Sequence, residues 1–236
     1  MSQRPLHGLR GVVTGGSSGI GLAIAEALAE AGARLALVAR GEEALGGVAE
    51  RTGSVPLTAD VSDSDAAAAL PGRFSAALGE EAAEFVVHCA GAFSLAPFEE
   101  ISADEFRRIV DTNLVGSFNV VRAFLPDMVA AGRGRIVLMG SVAGRRPYPG
   151  NAAYAASKYG LRGLAEVLRL ETEGTGVACT IVEPAATNTP LWEGVGAAGL
   201  PDPAAMLSPQ EVADAVVWLL QRPDEVRIPV LPIERS

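Results

Sequence analysis

The feature that most constrains this fold is the alternation of short Val, Ile and Leu runs with longer Ala- and Leu-rich segments of helical period. The predicted strands are Gly11–Thr14, Arg34–Ala39, Val55–Thr58, Phe85–Ala90, Arg135–Met139, Val177–Glu183 and Val226–Leu231. The predicted helices are Gly19–Ala31, Glu42–Arg51, Ala66–Leu78, Ala103–Asp111, Leu114–Ala131 with a kink at Pro126, Ala152–Glu173 and Pro209–Gln221. Continuous apolar runs are typical of strands buried on both faces, and strands that alternate with helices form parallel sheets.

This order of elements predicts an α/β fold of the Rossmann type, a doubly wound parallel sheet of about seven strands with helices on both faces. The chain has 236 residues without a repeat, and we expect one domain over residues 1–236 with a substrate loop at about 190–208. In such sheets the ligand binds outside the carboxyl ends of the strands. The residues that follow each strand are therefore the candidates for function.

The composition excludes several classes of protein. The net charge of −9 gives no basic surface for nucleic acid or for an anionic membrane. Cys89 and Cys179 each lie in an apolar run and are expected to be buried, reduced thiols, not a disulfide framework. The N-terminal residues lack the apolar core of a signal peptide, and no apolar stretch approaches the ~18 residues that span a bilayer. We expect a cytoplasmic protein.

A glycine-rich loop joins the first strand directly to the first helix. Its sequence from Thr14 to Gly21 is T-G-G-S-S-G-I-G, with the spacing G-x-x-x-G-x-G. Glycines allow the backbone to approach a pyrophosphate, which then lies on the amides of the helix N-terminus. The candidate cofactor-binding residues are Gly15, Ser17, Ser18, Gly19, Ile20 and Gly21. The alternative interpretation is a simple turn between strand and helix.

The end of the second strand indicates which dinucleotide such a glycine loop would bind. A carboxylate there would favour NAD by bonding the ribose 2′-hydroxyl, but the sequence reads Ala39-Arg40. Arg40 offers a permanently charged fork to a 2′-phosphate, so NADP (NADPH) is predicted and NAD is less favoured. Glu42 and Glu43 lie close by, although acidic residues also suit the first turn of a helix.

Tyr154 and Lys158 are four positions apart in the sequence and so lie one turn apart on the same face of the predicted helix. A positive charge beside a phenol lowers the phenol's pKa from ~10 towards working pH, which suits acid/base catalysis. The pair alone arises often by chance. Its context decides its meaning.

The glycine loop and the Tyr154/Lys158 pair together resemble the short-chain dehydrogenase/reductase family, in its single-domain NADP-dependent branch. The resemblance implies that Ser141, thirteen residues before Tyr154, hydrogen-bonds the substrate oxygen. It also implies that Asn113 takes part in a proton relay through water and Lys158. Tyr154 is the expected general acid/base, and Tyr154 and Lys158 also contact the cofactor.

Other positions match the family's cofactor contacts. The resemblance implies an adenine contact at Asp60 and Val61, close backbone approach at Ala90 and Gly91, and a loop that flanks the nicotinamide amide. That loop contributes Pro184, Thr187 and Thr189. Two departures stand out: His88-Cys89 replaces the usual Asn-Asn, and Ala185 replaces the usual glycine.

The predicted function is an NADP-dependent oxidoreductase that transfers hydride between the nicotinamide and a small carbonyl or alcohol substrate. The composition of the loop at 190–208 favours an uncharged, partly apolar substrate. The residues that would line the substrate pocket are Phe93, Leu95 and Trp192; the alternative places them in the hydrophobic core. Two alternatives stay open. One is a 3-oxoacyl-carrier-protein reductase, for which Arg145 and Arg146 could attract an acyl carrier. The other is a non-catalytic NADP-binding sensor. Kinship implies a homodimer or homotetramer. No metal site is predicted.

Overall fold

The computed structural model of the chain describes residues 5–79, 82–193, 195 and 202–235. In this part of the chain, seven strands form one parallel sheet in the order β3-β2-β1-β4-β5-β6-β7. The strands are β1 Arg10–Thr14, β2 Arg34–Ala39, β3 Val55–Thr58, β4 Phe85–His88, β5 Gly134–Met139, β6 Val177–Pro184 and β7 Val230–Ile233. The predicted doubly wound α/β sheet is confirmed.

Helices cover both faces of the sheet, as the apolar strands require. They are α1 Gly19–Glu30, α2 Glu42–Thr52, α3 Ser64–Ala68, α4 Leu70–Leu78, α5 Ala103–Val110, α6 Gly116–Ala130, α7 Ala152–Glu171 and α8 Pro209–Leu220. α1, α2 and α8 pack on one face of the sheet, and α4, α6 and α7 pack on the other. A π-helical turn, Asp111–Val115, joins α5 to α6, and α6 continues through Pro126.

Two predicted elements differ from the structure by more than a few residues at their ends. The segment predicted as one helix, Ala66–Leu78, forms α3 and α4 with Ala69 between them. Pro71 lies in the first turn of α4, where a backbone N–H has no partner within the helix. Proline lacks this N–H, so it favours the start of a new helix at this position.

The last strand lies later than predicted, at Val230–Ile233, not at Val226–Leu231. Val226 closes a turn by donating its N–H to the Pro223 carbonyl, and Pro229 has no N–H for the ladder. The register with β6 therefore begins at Val230, opposite Ile181.

The sheet order places the candidate residues at one edge. It reverses between β1 and β4, where Thr14 and His88 are register partners. The segments after β1, β4, β5 and β6 therefore lie side by side at the carboxyl edge, where an open parallel sheet binds ligands. The predicted loop at 190–208 is described only in part, because residues 194 and 196–201 lie outside the described residues. Within the described ranges, no helix is long and apolar enough to cross a membrane.

Candidate active site

A cleft of 860 Å³ opens at the carboxyl ends of β1, β4, β5 and β6. Of the predicted site residues, it is lined by Gly15, Ser18, Gly19, Ile20, Gly21, Ala90, Gly91, Ser141, Tyr154, Lys158, Pro184, Thr187 and Thr189. Ser17, Arg40, Asp60, Val61 and Asn113 lie outside this lining. Phe93, Leu95 and Trp192 line the cleft as well.

The glycine loop is shaped for close backbone approach. Gly15 has a φ of 68°, and a Cβ built on it would lie 2.8 Å from the backbone nitrogen of Ala90. Gly19 has a φ of 54° and begins α1. Only glycine takes these positions without strain, so the loop leaves a side-chain-free cradle at the N-terminus of a 12-residue helix. This cradle fits a phosphate group.

Arg40 and Asp60 lie beside the cleft around a second depression, which also includes Ser62, Arg107 and Arg108. An Arg40 nitrogen is 3.9 Å from an Asp60 carboxylate oxygen, and 72% of the Arg40 side chain is exposed. Burial raises the pKa of Asp60, but hydrogen bonds from Ser62 and the Arg40 charge outweigh it, so the pKa is lowered overall. Asp60 is thus a fixed carboxylate, while the guanidinium of Arg40 has open space around it.

Ser141 and Tyr154 meet in the cleft. Ser141 follows β5, Tyr154 lies in the first turn of α7, and both side chains line the cleft. Burial raises the pKa of Tyr154 to about 12, and the nearby Ser141 hydroxyl opposes the rise. The direction is opposite to the lysine effect expected from the sequence, because desolvation of the phenolate dominates in this pocket.

Lys158 lies behind Tyr154, with its Nζ 5.4 Å from the centroid of the tyrosine ring. Its Nζ donates a hydrogen bond to the carbonyl oxygen of Met139 at 2.7 Å. Burial lowers the pKa of Lys158 to about 8. The lysine is therefore close to the phenol and partly desolvated.

Asn113 lies in the π-helical turn and joins two segments of the site. Its Oδ1 accepts the N–H of Ala92 at 2.7 Å, and its Nδ2 donates to the Ala92 carbonyl at 2.9 Å and to Ser157 Oγ at 3.0 Å. The side chain therefore positions the segment after β4 against α7. The water relay implied by the resemblance stays a prediction.

His88 and Cys89, which replace the usual asparagines, are both neutral in the fold. His88 Nδ1 shares a hydrogen bond of 2.9 Å with Thr14 Oγ1, and burial lowers the pKa of His88 to about 3. Thr14 Oγ1 also accepts the N–H of Ala90 at 3.2 Å. Burial raises the pKa of the Cys89 thiol to about 12. His88 therefore bonds the same Thr14 hydroxyl that accepts the Ala90 N–H, and neither His88 nor Cys89 is suited to act as a base.

Ala185, the second departure, is accommodated without strain. No non-glycine residue in the described part of the chain has a positive φ, so Ala185 does not need the left-handed backbone that favours glycine. Its N–H donates to the Ile233 carbonyl at 2.8 Å.

Sequence reasoning missed Glu234 and Asn151. Glu234, in the C-terminal segment, lines the cleft and pairs with both Arg145 and Arg146. Asn151 is 4% exposed, lines the cleft and accepts the N–H of Tyr148. No motif marks either residue, since Glu234 reaches the cleft only through the pairing of β7 with β6.

The fold and the site together define a class: a doubly wound nucleotide-binding protein whose cleft joins a glycine cradle to a Ser-Tyr-Lys group. The sequence model of the short chain dehydrogenase family matches residues 11–198. The chain therefore belongs to the short-chain dehydrogenase/reductase family and is an oxidoreductase of that family, whose members bind a nicotinamide cofactor.

Similar proteins agree with this assignment. The chain is 30% identical over 238 residues to a probable NADP-dependent dehydrogenase of Haemophilus influenzae, covering 95% of this chain and 94% of that protein. It is 36% identical over 241 residues to glycine betaine reductase of Emericella nidulans, which covers 98% of this chain but 19% of that protein. The alcohol dehydrogenase of the archaeon Thermococcus sibiricus, solved with 5-hydroxy-NADP, has a TM-score of 0.85 at 29% identity, with 96% of each chain covered.

Proposed function

We propose that this protein is an NADP-dependent reductase of carbonyl compounds, or in reverse an alcohol dehydrogenase, with Tyr154 as general acid/base. The observation that carries the proposal is that Ser141 and Tyr154 line the same cleft as the glycine cradle, with Lys158 Nζ 5.4 Å from the centroid of the tyrosine ring. A small neutral substrate with its oxygen between the two hydroxyl groups would meet a proton donor and a hydrogen-bond donor together.

The cofactor would be held by the glycine cradle, by the loop that contributes Pro184, Thr187 and Thr189, and by Lys158. The cradle fits the pyrophosphate because a Cβ at Gly15 would collide with the backbone. NADPH, when bound, supplies the hydride that adds to the carbonyl carbon. The exposed guanidinium of Arg40 supports NADP over NAD, and the name of the Haemophilus influenzae relative points the same way.

The chain's own residues handle the oxygen of the substrate. Tyr154, with its pKa raised to about 12, is protonated at neutral pH and can donate its proton to the carbonyl oxygen as the carbonyl carbon is reduced. Ser141 donates a hydrogen bond where negative charge develops, which stabilises the transition state. In the reverse direction Tyr154 accepts the proton of the alcohol, and the Lys158 charge favours the phenolate.

The arginines near the cleft mouth give little support to the acyl-carrier alternative. Arg145 and Arg146 both pair with Glu234, and Arg145 also bonds Glu183 at 3.1 Å. An acidic carrier would have to displace these carboxylates. The presence of Ser141, Tyr154 and Lys158 in one cleft argues against a non-catalytic sensor, because a protein that only binds NADP does not need a proton donor there.

Tyr154→Phe tests the mechanism. We expect turnover to fall by about 10²–10⁴ with NADPH affinity nearly unchanged, because the ring remains and only the proton donor is lost. Oxidation of NADPH would be followed with aldehydes, ketones, diketones and acyl thioesters, and binding by titration. Turnover of the variant equal to that of the wild type would remove Tyr154 from the mechanism.

Arg40→Ala tests the cofactor. We expect wild-type kcat/KM to be higher with NADPH than with NADH, and the variant to lose about tenfold or more with NADPH alone, because the 2′-phosphate loses its charged partner. Arg34→Ala, an exposed arginine at the opposite end of β2, is the control. An equal loss with both cofactors would contradict the assignment.

A further inference from the structure

Three aromatic rings form a row along the cleft. The ring of Phe93 lies 4.9 Å from the ring of Tyr154 at an interplanar angle of 85°, and 5.0 Å from that of Trp192 at 63°. Such edge-to-face contacts are favourable for aromatic pairs. The aromatic row, Tyr154–Phe93–Trp192, therefore extends from the proposed proton donor to the loop after β6.

The far end of the aromatic row is fixed in place. Trp192 Nε1 donates a hydrogen bond of 2.9 Å to the Thr187 carbonyl, and the Thr189 hydroxyl accepts the N–H of Leu191. A ring held in this way is preorganised, so little conformational freedom is lost when a ligand packs against it. Both Phe93 and Trp192 are partly exposed, which leaves ring surface for a ligand.

The charged side chains that line the cleft do not favour the binding of an anionic substrate. Among the described lining residues the charged side chains are Arg146, Lys158 and Glu234. Lys158 is buried and bonds the Met139 carbonyl, and Arg146 lies 3.9 Å from Glu234. A substrate carboxylate would compete with Glu234 for Arg146 at the mouth, and deeper in the cleft the described lining offers only the buried Lys158 to replace its hydration.

We propose that the substrate is a neutral ketone or aldehyde whose flat apolar group, an aryl ring above all, packs against Phe93 and Trp192. Its carbonyl oxygen would then lie at Ser141 and Tyr154. The proposal rests on the proposed function and assigns Phe93 and Trp192 as specificity-determining residues.

Binding is tested without turnover by using Trp192 as a reporter. The sequence contains two tryptophans, so Trp218→Phe leaves Trp192 as the single one, and Trp218 lies on α8 away from the cleft. This variant, with and without NADP⁺, would be titrated with acetophenone and with 4-acetylbenzoate while tryptophan fluorescence is followed. We expect saturable quenching by acetophenone with an affinity about tenfold or more above that for 4-acetylbenzoate.

Phe93→Ala in the same background should weaken acetophenone binding by about tenfold, since the ring contact is lost. Phe98→Ala, which removes a phenylalanine that is 80% exposed and outside the cleft lining, should leave binding unchanged. Equal or tighter binding of 4-acetylbenzoate, or an unchanged affinity in Phe93→Ala, would overturn the assignment.

Turnover separates this inference from the proposed function. If NADPH oxidation with acetophenone exceeds that with 4-acetylbenzoate, and Phe93→Ala raises the KM for acetophenone with little change in kcat, both are supported. Selective acetophenone binding without reduction of any carbonyl compound would overturn the proposed function and support the ligand class. Reduction that favours anionic ketones or thioesters would support the function and overturn the ligand class.

Discussion

His88 is a buried histidine at a position where the family usually has asparagine. Its side chain is 1% exposed, and its Nε2 has no hydrogen-bond partner among the described residues. Burial lowers the pKa to about 3, and the nearby Lys158 charge acts in the same direction. The folded protein therefore holds the imidazole neutral at pH values where the unfolded chain protonates it.

This burial predicts a specific loss of stability in acid. Because the folded pKa is lowered from 6.5, stability is fully present above about pH 6.5 and is lost as the pH falls towards 3. Between pH 7 and pH 5 the wild type should lose about 2 kcal/mol more free energy of unfolding than His88→Asn. Urea unfolding at several pH values measures this. His7→Asn, at the other histidine, which is exposed, is the control and should keep the wild-type pH dependence.

At the scale of elements, the π-helical turn between α5 and α6 determines how the site is assembled. It directs Asn113 inward, where the amide binds both polar backbone groups of Ala92 and the hydroxyl of Ser157. π-helical turns are frequent at functional sites. Here the turn connects the segment after β4 to the helix that carries Tyr154 and Lys158.

Asn113→Ala should lower the free energy of unfolding by about 2–4 kcal/mol, because two buried groups of Ala92 lose their partners. Ser157→Ala is the matched control, since it removes one bond to Asn113 and leaves both Ala92 bonds intact. It should cost about 1 kcal/mol. Chemical denaturation gives both values, and an Asn113→Ala no less stable than Ser157→Ala would show that the Ala92 bonds are dispensable.

At the scale of the whole molecule, the outer faces of α6 and α7 carry exposed apolar side chains. On α6 Phe118 is 46% exposed, and on α7 Tyr159 and Val167 are 44% and 51% exposed. Large apolar side chains left exposed on two helices that pack on the same face of the sheet indicate an interaction surface. We propose that these helices pair with a second copy of the chain, in a homodimer or homotetramer.

Phe118→Glu should raise the dissociation constant of such an oligomer by about 100-fold or more, because it places an unpaired charge in an apolar interface. Trp218→Glu, an exposed aromatic residue on α8, is the control. Sedimentation velocity over a range of concentrations would show both. A wild-type chain that sediments at 24.2 kDa at all concentrations would contradict the proposal.

The sequence by itself determined the features that depend on local order along the chain. Alternating apolar runs predict the parallel sheet, the glycine spacing predicts the turn into α1, and the Tyr154/Lys158 spacing places both side chains on one helix face. Each of these signals lies within a few residues. Their order along the chain then places them at one edge of the sheet.

Only the tertiary structure decided what depends on contacts between distant segments. The pairing of Arg145 with Glu234, the row formed by Phe93 with Tyr154 and Trp192, and the raised pKa of Tyr154 all require segments that are far apart in sequence. Burial is a property of the assembled fold, so it has no local pattern in the sequence. For that reason the residues of the site and their expected roles could be predicted from the sequence. The pKa of Tyr154 and the arrangement of the aromatic rings beside the proposed substrate site could not.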